Sequence, residues 1–192
     1  ALAMARENPD REVVFFAVGF ETTAPVNGMS AFQAKRQGIG NFSLLASHVL
    51  VPPALRAILG APGRIVQGVL AAGHVCTVMG TGEYEPLAAD FHAPIVVTGF
   101  EPVDILQGLR LCVEALEQGQ AAVLNAYSRS VRREGNPQAK GLLTEVYEVV
   151  DRNWRGIGVI PQSGYAIRPE YAAQNAEKKF DLGSITTMEP GE

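Results

Sequence analysis

With 192 residues, 47% of them hydrophobic, the chain is long enough for one well-buried core and a smaller appendage. Sixteen basic against twenty acidic residues give a formal charge of −4, which argues against nucleic acid or an anionic membrane surface as partner, and the longest apolar stretches are strand-sized and interrupted, which leaves no membrane-spanning helix. Two cysteines, Cys76 and Cys112, cannot build a disulfide framework or supply four thiolates to an iron–sulfur cluster, and residues 1–8 lack the zones of a signal peptide, so a reduced, cytoplasmic protein is expected.

Residues 1–8 read as the tail of a helix, and the chain has no initiator Met and stops at Pro190-Gly191-Glu192, so it is expected to be a fragment. Strands are expected at 12–18, 42–46, 66–72 and 94–98, where unbroken aliphatic and β-branched runs are bounded by Gly, Pro or Asn. Such runs suit a parallel sheet covered on both faces. Helices are expected between them: at 24–37 behind Thr22, Thr23 and Pro25, at 52–59 behind Pro52-Pro53, and at 74–79 and 82–92 around Gly80-Thr81-Gly82. The strongest helical pattern covers 102–118, with Ile105, Leu106, Leu109, Cys112, Val113 and Leu116 on one face. The alternation predicts an α/β fold with one mainly parallel, doubly wound sheet in a domain of residues 1–119. Beyond Gly119, residues 121–133 and 137–150 read as helices, split by Glu134-Gly135-Asn136-Pro137. A Gly-rich strand through Trp154, Ile157, Val159 and Ile160 then ends at Pro161, and a short helix is expected at 169–179. Residues 120–192 are therefore expected to form a smaller, mostly helical appendage.

Two of the strands empty into the same tripeptide. Gly19-Phe20-Glu21 continues into Thr22-Thr23-Ala24-Pro25, and Gly99-Phe100-Glu101 continues into Pro102-Val103-Asp104. Each Gly permits a tight turn from strand to helix, and each Phe is expected to fold into the core. Glu21 and Glu101 are left near helix starts, where free N–H groups and the helix dipole favour negative charge. Taken singly, each is a capping carboxylate; as a pair, with the hydroxyl of Thr22, they point to a functional cleft. His48 and His74 follow the other two strands, each between a small residue and Val. Imidazole there suits proton transfer, metal ligation or a hydrogen bond to a ligand, against the plainer reading of a packed polar group. On one sheet all four would gather at the carboxyl edge, where open α/β sheets hold ligands.

Other candidates read as structural. Asp104 is expected to be an exposed first-turn charge, His92 a structural residue, and Cys76 a half-buried thiol. The two-residue step from His74 to Cys76 turns the groups apart on a helix, so no metal site is expected there. Arg129, Arg132 and Arg133 read as a solvated or inter-domain helix face. No phosphate-binding glycine loop, nucleophile elbow or zinc-protease motif occurs.

Several longer motifs carry a family resemblance. Val18 to Pro25, Ser47-His48-Val49 with Pro52-Pro53, Gly73-His74-Val75 and Gly99 to Asp104 resemble the hydrogenase maturation factor family HypD. So do Asn125-Ala126-Tyr127-Ser128-Arg129-Ser130-Val131, Gly135-Asn136-Pro137 and Trp154 to Pro161, and the likeness runs through nearly the whole chain. It implies a scaffold on which the Fe(CN)2CO unit of [NiFe]-hydrogenase is assembled, with the small chaperone HypC and the cyanide donor HypE as partners. It also implies two α/β domains around a cleft and a third region carrying a [4Fe-4S] cluster. The family's Cys-Gly-Thr-His segment, implicated in iron binding, and its Cys-Pro-x-Cys pair are absent from this chain. The resemblance therefore implies a central fragment with no cofactor of its own, inactive alone, whose iron and cluster belong to the full-length protein.

Three functions stand on these residues. The first is metallocofactor assembly rather than conventional enzyme chemistry, with Glu21, Thr22, His48, His74 and Glu101 lining a cleft. The second is a stand-alone α/β transferase using Glu and His as acid and base on a small anion. The third is a docking module for partner proteins.

Overall fold

The computed structural model describes residues 1–182. Its elements run α1 (Leu2–Glu7), β1 (Val13–Gly19), α2 (Ala24–Arg36), β2 (Phe42–His48), α3 (Val51–Leu59), β3 (Val69–Ala72), α4 (Gly73–Met79) and α5 (Tyr84–Phe91). They continue as β4 (Ile95–Thr98), α6 (Pro102–Glu117), β5 (Val123–Asn125), α7 (Pro137–Val146), β6 (Tyr147–Trp154), β7 (Gly158–Ile167), a 3-10 helix (Pro169–Gln174) and α8 (Ala176–Lys179). Helices alternating with parallel strands make this an α/β fold. The four expected strands do not share one sheet, however. β1 pairs with β2 alone, β3, β4 and β5 form a second parallel sheet, and β6 and β7 form an antiparallel hairpin. Two compact units result, one built from Ala1–Leu50 with the residues from Gly141 onward, the other from Val51–Lys140. Neither boundary falls at Gly119, where the composition changes. The part of the expected appendage at 183–192 lies outside the described residues.

In the first unit, β1 and β2 run in register from Val13 opposite Phe42 to Gly19 opposite His48. Their crossover helix α2 buries only small residues, Ala24, Gly28, Ala31 and Ala34, so it lies close against its neighbours. The core gathers Ala17, Phe42, Leu44, Val146, Tyr147, Ile167 and Tyr171, all buried. Full burial of a side chain such as Leu44 contributes about 1.5–3 kcal/mol. Residues 147–150 are strand, not helix, and the strand expected to end at Pro161 continues to Ile167. Leu143, Val146, Tyr147 and Val150 sit at helical spacing, which hides the break after Val146; partnership with β7 decides it. The hairpin ladder skips from Arg152 opposite Ile160 to Val150 opposite Gly164, and Pro161 is accommodated in that irregularity, where its missing N–H costs no ladder bond. On β1, Val14, Phe16 and Val18 share a face, and all three are exposed.

In the second unit, β4 lies between β3 and β5 and is buried along its whole length. Around it pack Ala71, Cys76, Tyr84, Leu87, Ala88, Ile95, Val97 and Val131. Cys76 is thus fully buried rather than half-buried. Residues 123–125 are strand where a helix was expected, because Asn125 closes the run at once: its Oδ1 accepts the Tyr127 N–H at 2.9 Å and its Nδ2 donates to the Val131 carbonyl at 3.0 Å. The side of α6 that faces inward is also not the expected one. Asp104, Gly108, Cys112 and Ala115 are buried, while Leu106, Leu109, Val113 and Leu116 are exposed. Small residues let α6 approach β4 closely, since a Cβ on Gly108 would stand 3.0 Å from the Thr98 side chain.

Candidate functional site

The residues singled out fall into two groups, one on each parallel sheet. Glu21, Thr22 and His48 stand at the carboxyl edge of β1 and β2; His74 and Glu101 stand at the carboxyl edge of β3 and β4. No single sheet carries all of them.

At the first edge, the Gly19 carbonyl accepts the Val49 N–H at 3.0 Å, which locks the ends of β1 and β2 together. His48 is the last residue of β2, not a loop residue beyond it, and is fully buried. Asn27, in the first turns of α2, donates its Nδ2–H to His48 Nε2 at 3.1 Å. An imidazole accepting at Nε2 carries its proton on Nδ1. That Nδ1 has no hydrogen-bond partner among the described residues. The ring meets Tyr147 edge to face at 5.9 Å. Burial, helped by the positive charge of Arg152, pushes the His48 pKa down to about 4. His48 is therefore neutral near pH 7 and acts there through hydrogen bonding, not as an imidazolium. Glu21 is likewise buried, with 1% of its surface exposed, while Thr22 is half-buried. Phe20, expected in the core, is 44% exposed. The turn has put the carboxylate inside and the ring outside.

The second Gly-Phe-Glu loop leaves both side chains outside. Glu101 occupies the N-cap position of α6 without a side-chain cap bond, and its side chain is 80% exposed. Phe100 is also exposed, and it stacks on the His74 ring, centroids 4.5 Å apart and planes 9° from parallel. The two loops leave adjacent strands, so the stack joins the exits of β3 and β4. Beneath them lies Tyr127: a Cβ on Gly73 would meet its ring at 2.5 Å, and one on Gly99 at 2.8 Å. Only glycine permits both exits to rest on that ring.

Two residues read as solvated charges prove to organise this edge. Asp104 is buried, and Arg129 donates to both of its carboxylate oxygens, at 2.7 and 2.6 Å. Hydrogen bonding from Arg129, with its charge, holds the Asp104 pKa below the usual carboxylate range against an opposing effect of desolvation. Arg129 also lies 4.5 Å over the Tyr127 ring and 3.7 Å from Glu101 Oε2. Thr98 donates its hydroxyl to the Asp104 carbonyl at 2.8 Å. Asp104 and Arg129 are 25 positions apart, and no local signal joins them; a first-turn acid and an arginine in a tyrosine-bearing loop were the only hints.

A cluster-bound iron does not fit the cysteines present. Cys76 on α4 and Cys112 on α6 are both buried, and burial pushes the Cys112 thiol pKa up, away from the thiolate a metal needs. Among the described residues, no group of three or more His, Cys, Asp or Glu is placed to hold a metal ion. No helix among them is long and apolar enough to cross a membrane.

Fold and edge geometry define an α/β protein whose parallel sheets end in paired glycine-turn loops bearing carboxylates and imidazoles. The chain belongs to the HypD family: the family model described as "Hydrogenase formation hypA family" matches residues 1–191. It is 44% identical to the hydrogenase expression/formation protein HupD of Azotobacter chroococcum mcd 1, over 98% of this chain and 52% of that protein. It is also 44% identical to the hydrogenase maturation factor HypD of Rhodobacter capsulatus, over 95% of this chain and 49% of the relative. Identity to HypD of Escherichia coli (strain K12) is 42%, over 94% and 48% respectively. The chain thus spans about half the length of the curated relatives it matches.

Proposed function

We propose that this chain is the part of a hydrogenase maturation factor that supplies polar loops to a scaffold for the Fe(CN)2CO unit of [NiFe]-hydrogenase. The observation that carries the reading is the family match along residues 1–191, to relatives named as hydrogenase maturation factors. Iron and its diatomic ligands are the cargo in this reading. Its partners are HypC and HypE, its compartment is the cytoplasm, and the thiolates that hold iron and a [4Fe-4S] cluster come from sequence outside this chain.

The two edges take different roles. His74 and Glu101 are exposed and can touch a bound substrate, His74 as donor or acceptor towards a ligand nitrogen or oxygen, Glu101 as acceptor or proton relay. Glu21, Thr22 and His48 act from below, holding the first loop in place rather than reaching the cargo. The test is infrared spectroscopy of the full-length protein purified anaerobically with its partners. Bands of iron-bound cyanide and carbon monoxide are expected, and their loss in His74→Ala with Glu101→Gln supports the assignment. Unchanged bands in that double variant would count against it.

A further inference from the structure

The loop from Asn125 to Pro137, within the second unit, carries motifs that the sheet edges leave largely unused. Its course is fixed many times over. Besides the bonds of the Asn125 side chain, Thr81 N donates to the Arg133 carbonyl at 3.0 Å and Asn136 N to the Val78 carbonyl at 2.9 Å. Gly80 and Gly135 meet where these strands of chain cross, both at positive φ; a Cβ on Gly135 would stand 2.5 Å from the Val78 oxygen, and one on Gly80 would collide with the Arg133 carbonyl. A backbone held this firmly presents its side chains in fixed places, as binding loops on rigid scaffolds do.

Residues of this loop line a cavity of about 590 Å³, with Thr77, Ser128, Arg129, Ser130, Arg132 and Asn136 around it and no Asp or Glu in the lining. The neighbouring arginines are committed elsewhere, Arg129 to Asp104 and Arg133 to Glu85. Arg132 has no ion pair among the described residues, and no side-chain hydrogen bond of Ser128 or Ser130 occurs among them either. The start of α7 adds no free donors, since Asn136 Oδ1 already accepts the N–H groups of Gln138 and Ala139. What remains in the lining is one arginine and two serines whose side chains have no partner among the described residues, with no carboxylate residue beside them in the lining. That set matches an oxyanion.

We propose that this cavity binds the phosphate or carboxylate group of a ligand through Arg132, Ser128 and Ser130. The cavity adjoins the second sheet edge through Arg129, which the edge already uses, but its assignment does not rest on the maturation reading. The test is NMR of the 15N-labelled intact protein that carries this chain, titrated separately with inorganic phosphate and with acetate at ionic strength fixed by sodium chloride. Saturable shifts of Ser128, Ser130 and Arg132 are expected with one probe or both, and the probe that saturates at lower concentration identifies the group. Arg132→Ala should weaken binding about tenfold or more, the size of one lost charge-assisted hydrogen bond. Ser130→Ala, which removes only a hydroxyl, should weaken it severalfold and serves if Arg132→Ala fails to fold. Arg110→Ala on α6 should change nothing. Shifts no larger than those from chloride, or unaltered affinity in the Arg132 and Ser130 variants, would overturn the proposal.

Discussion

Asp104 and Arg129 meet in a two-point ion pair, 2.7 and 2.6 Å, that ties the first turn of α6 to the loop after β5. Asp104 is nearly covered while Arg129 remains about half exposed, so the arginine acts as a lid on a carboxylate that has little water of its own. Removing the arginine leaves that carboxylate without its main partner.

Arg129→Ala should therefore lower the melting temperature, and Arg129→Lys should recover part of the loss, since lysine restores charge but not the planar fork. The effect has a pH signature. Asp104 has a folded pKa below its unfolded value, so its contribution is complete above the unfolded pKa of about 4 and is lost as pH falls through the folded one. Thermal melts of both proteins should show a gap that is constant from neutral pH down to about 5 and closes in stronger acid. A gap that persists unchanged at pH 2 would contradict the ion-pair account.

His48 gives a second test in a higher pH window, on a group that is buried neutral rather than charged. Its pKa of about 4 lies below the ordinary histidine value of 6.5, so the unfolded chain binds the extra proton first as pH drops. Stability from this group is full above pH 6.5 and drains between 6.5 and about 4, by about 2–4 kcal/mol in total. Urea unfolding at pH 7.5 and 4.5 should show this slope in the wild type and a shallower one in His48→Gln. The imidazole signal of His48 should not titrate between pH 8 and 5; a midpoint near 6.5 would refute its burial as a neutral ring.

How far the sequence led can be judged from particular elements. β1 to β4 and helices α2, α3 and α6 were legible from unbroken aliphatic runs and from Pro and Gly at their ends. The split into two sheets was not, because strand order depends on pairings between distant residues. Neither was the hairpin of β6 and β7, whose first strand begins with apolar residues at helical spacing. For α6 the periodicity found the large apolar stripe, but packing chose the stripe of small residues instead. The site was half legible. Gly-Phe-Glu marked both exits, yet only the fold distinguishes buried Glu21 from exposed Glu101, and only it joins His74 to Phe100.

The apolar surface left outside leads to a third prediction. Phe16 on β1 and Leu106 on α6 are 58% and 66% exposed, each among other exposed apolar residues. Such patches promote association. Phe16→Lys with Leu106→Lys should reduce self-association of the 192-residue chain in sedimentation experiments, while each substitution changes stability by no more than about 0.5 kcal/mol. Undiminished association, or collapse of the fold, would show that these faces are not free.

The most direct measurement for the central claim is hydrogenase activity in a strain lacking the maturation factor, complemented with the full-length protein carrying His74→Ala and Glu101→Gln. Both side chains are exposed, so the melting temperature should fall little; loss of the stacked ring pair costs about 0.5–1.5 kcal/mol. The account predicts hydrogenase activity near that of the uncomplemented strain from a protein that remains folded. Full activity in the double variant would contradict the assignment of these strand exits to function, and activity lost only in step with unfolding would return them to a structural role.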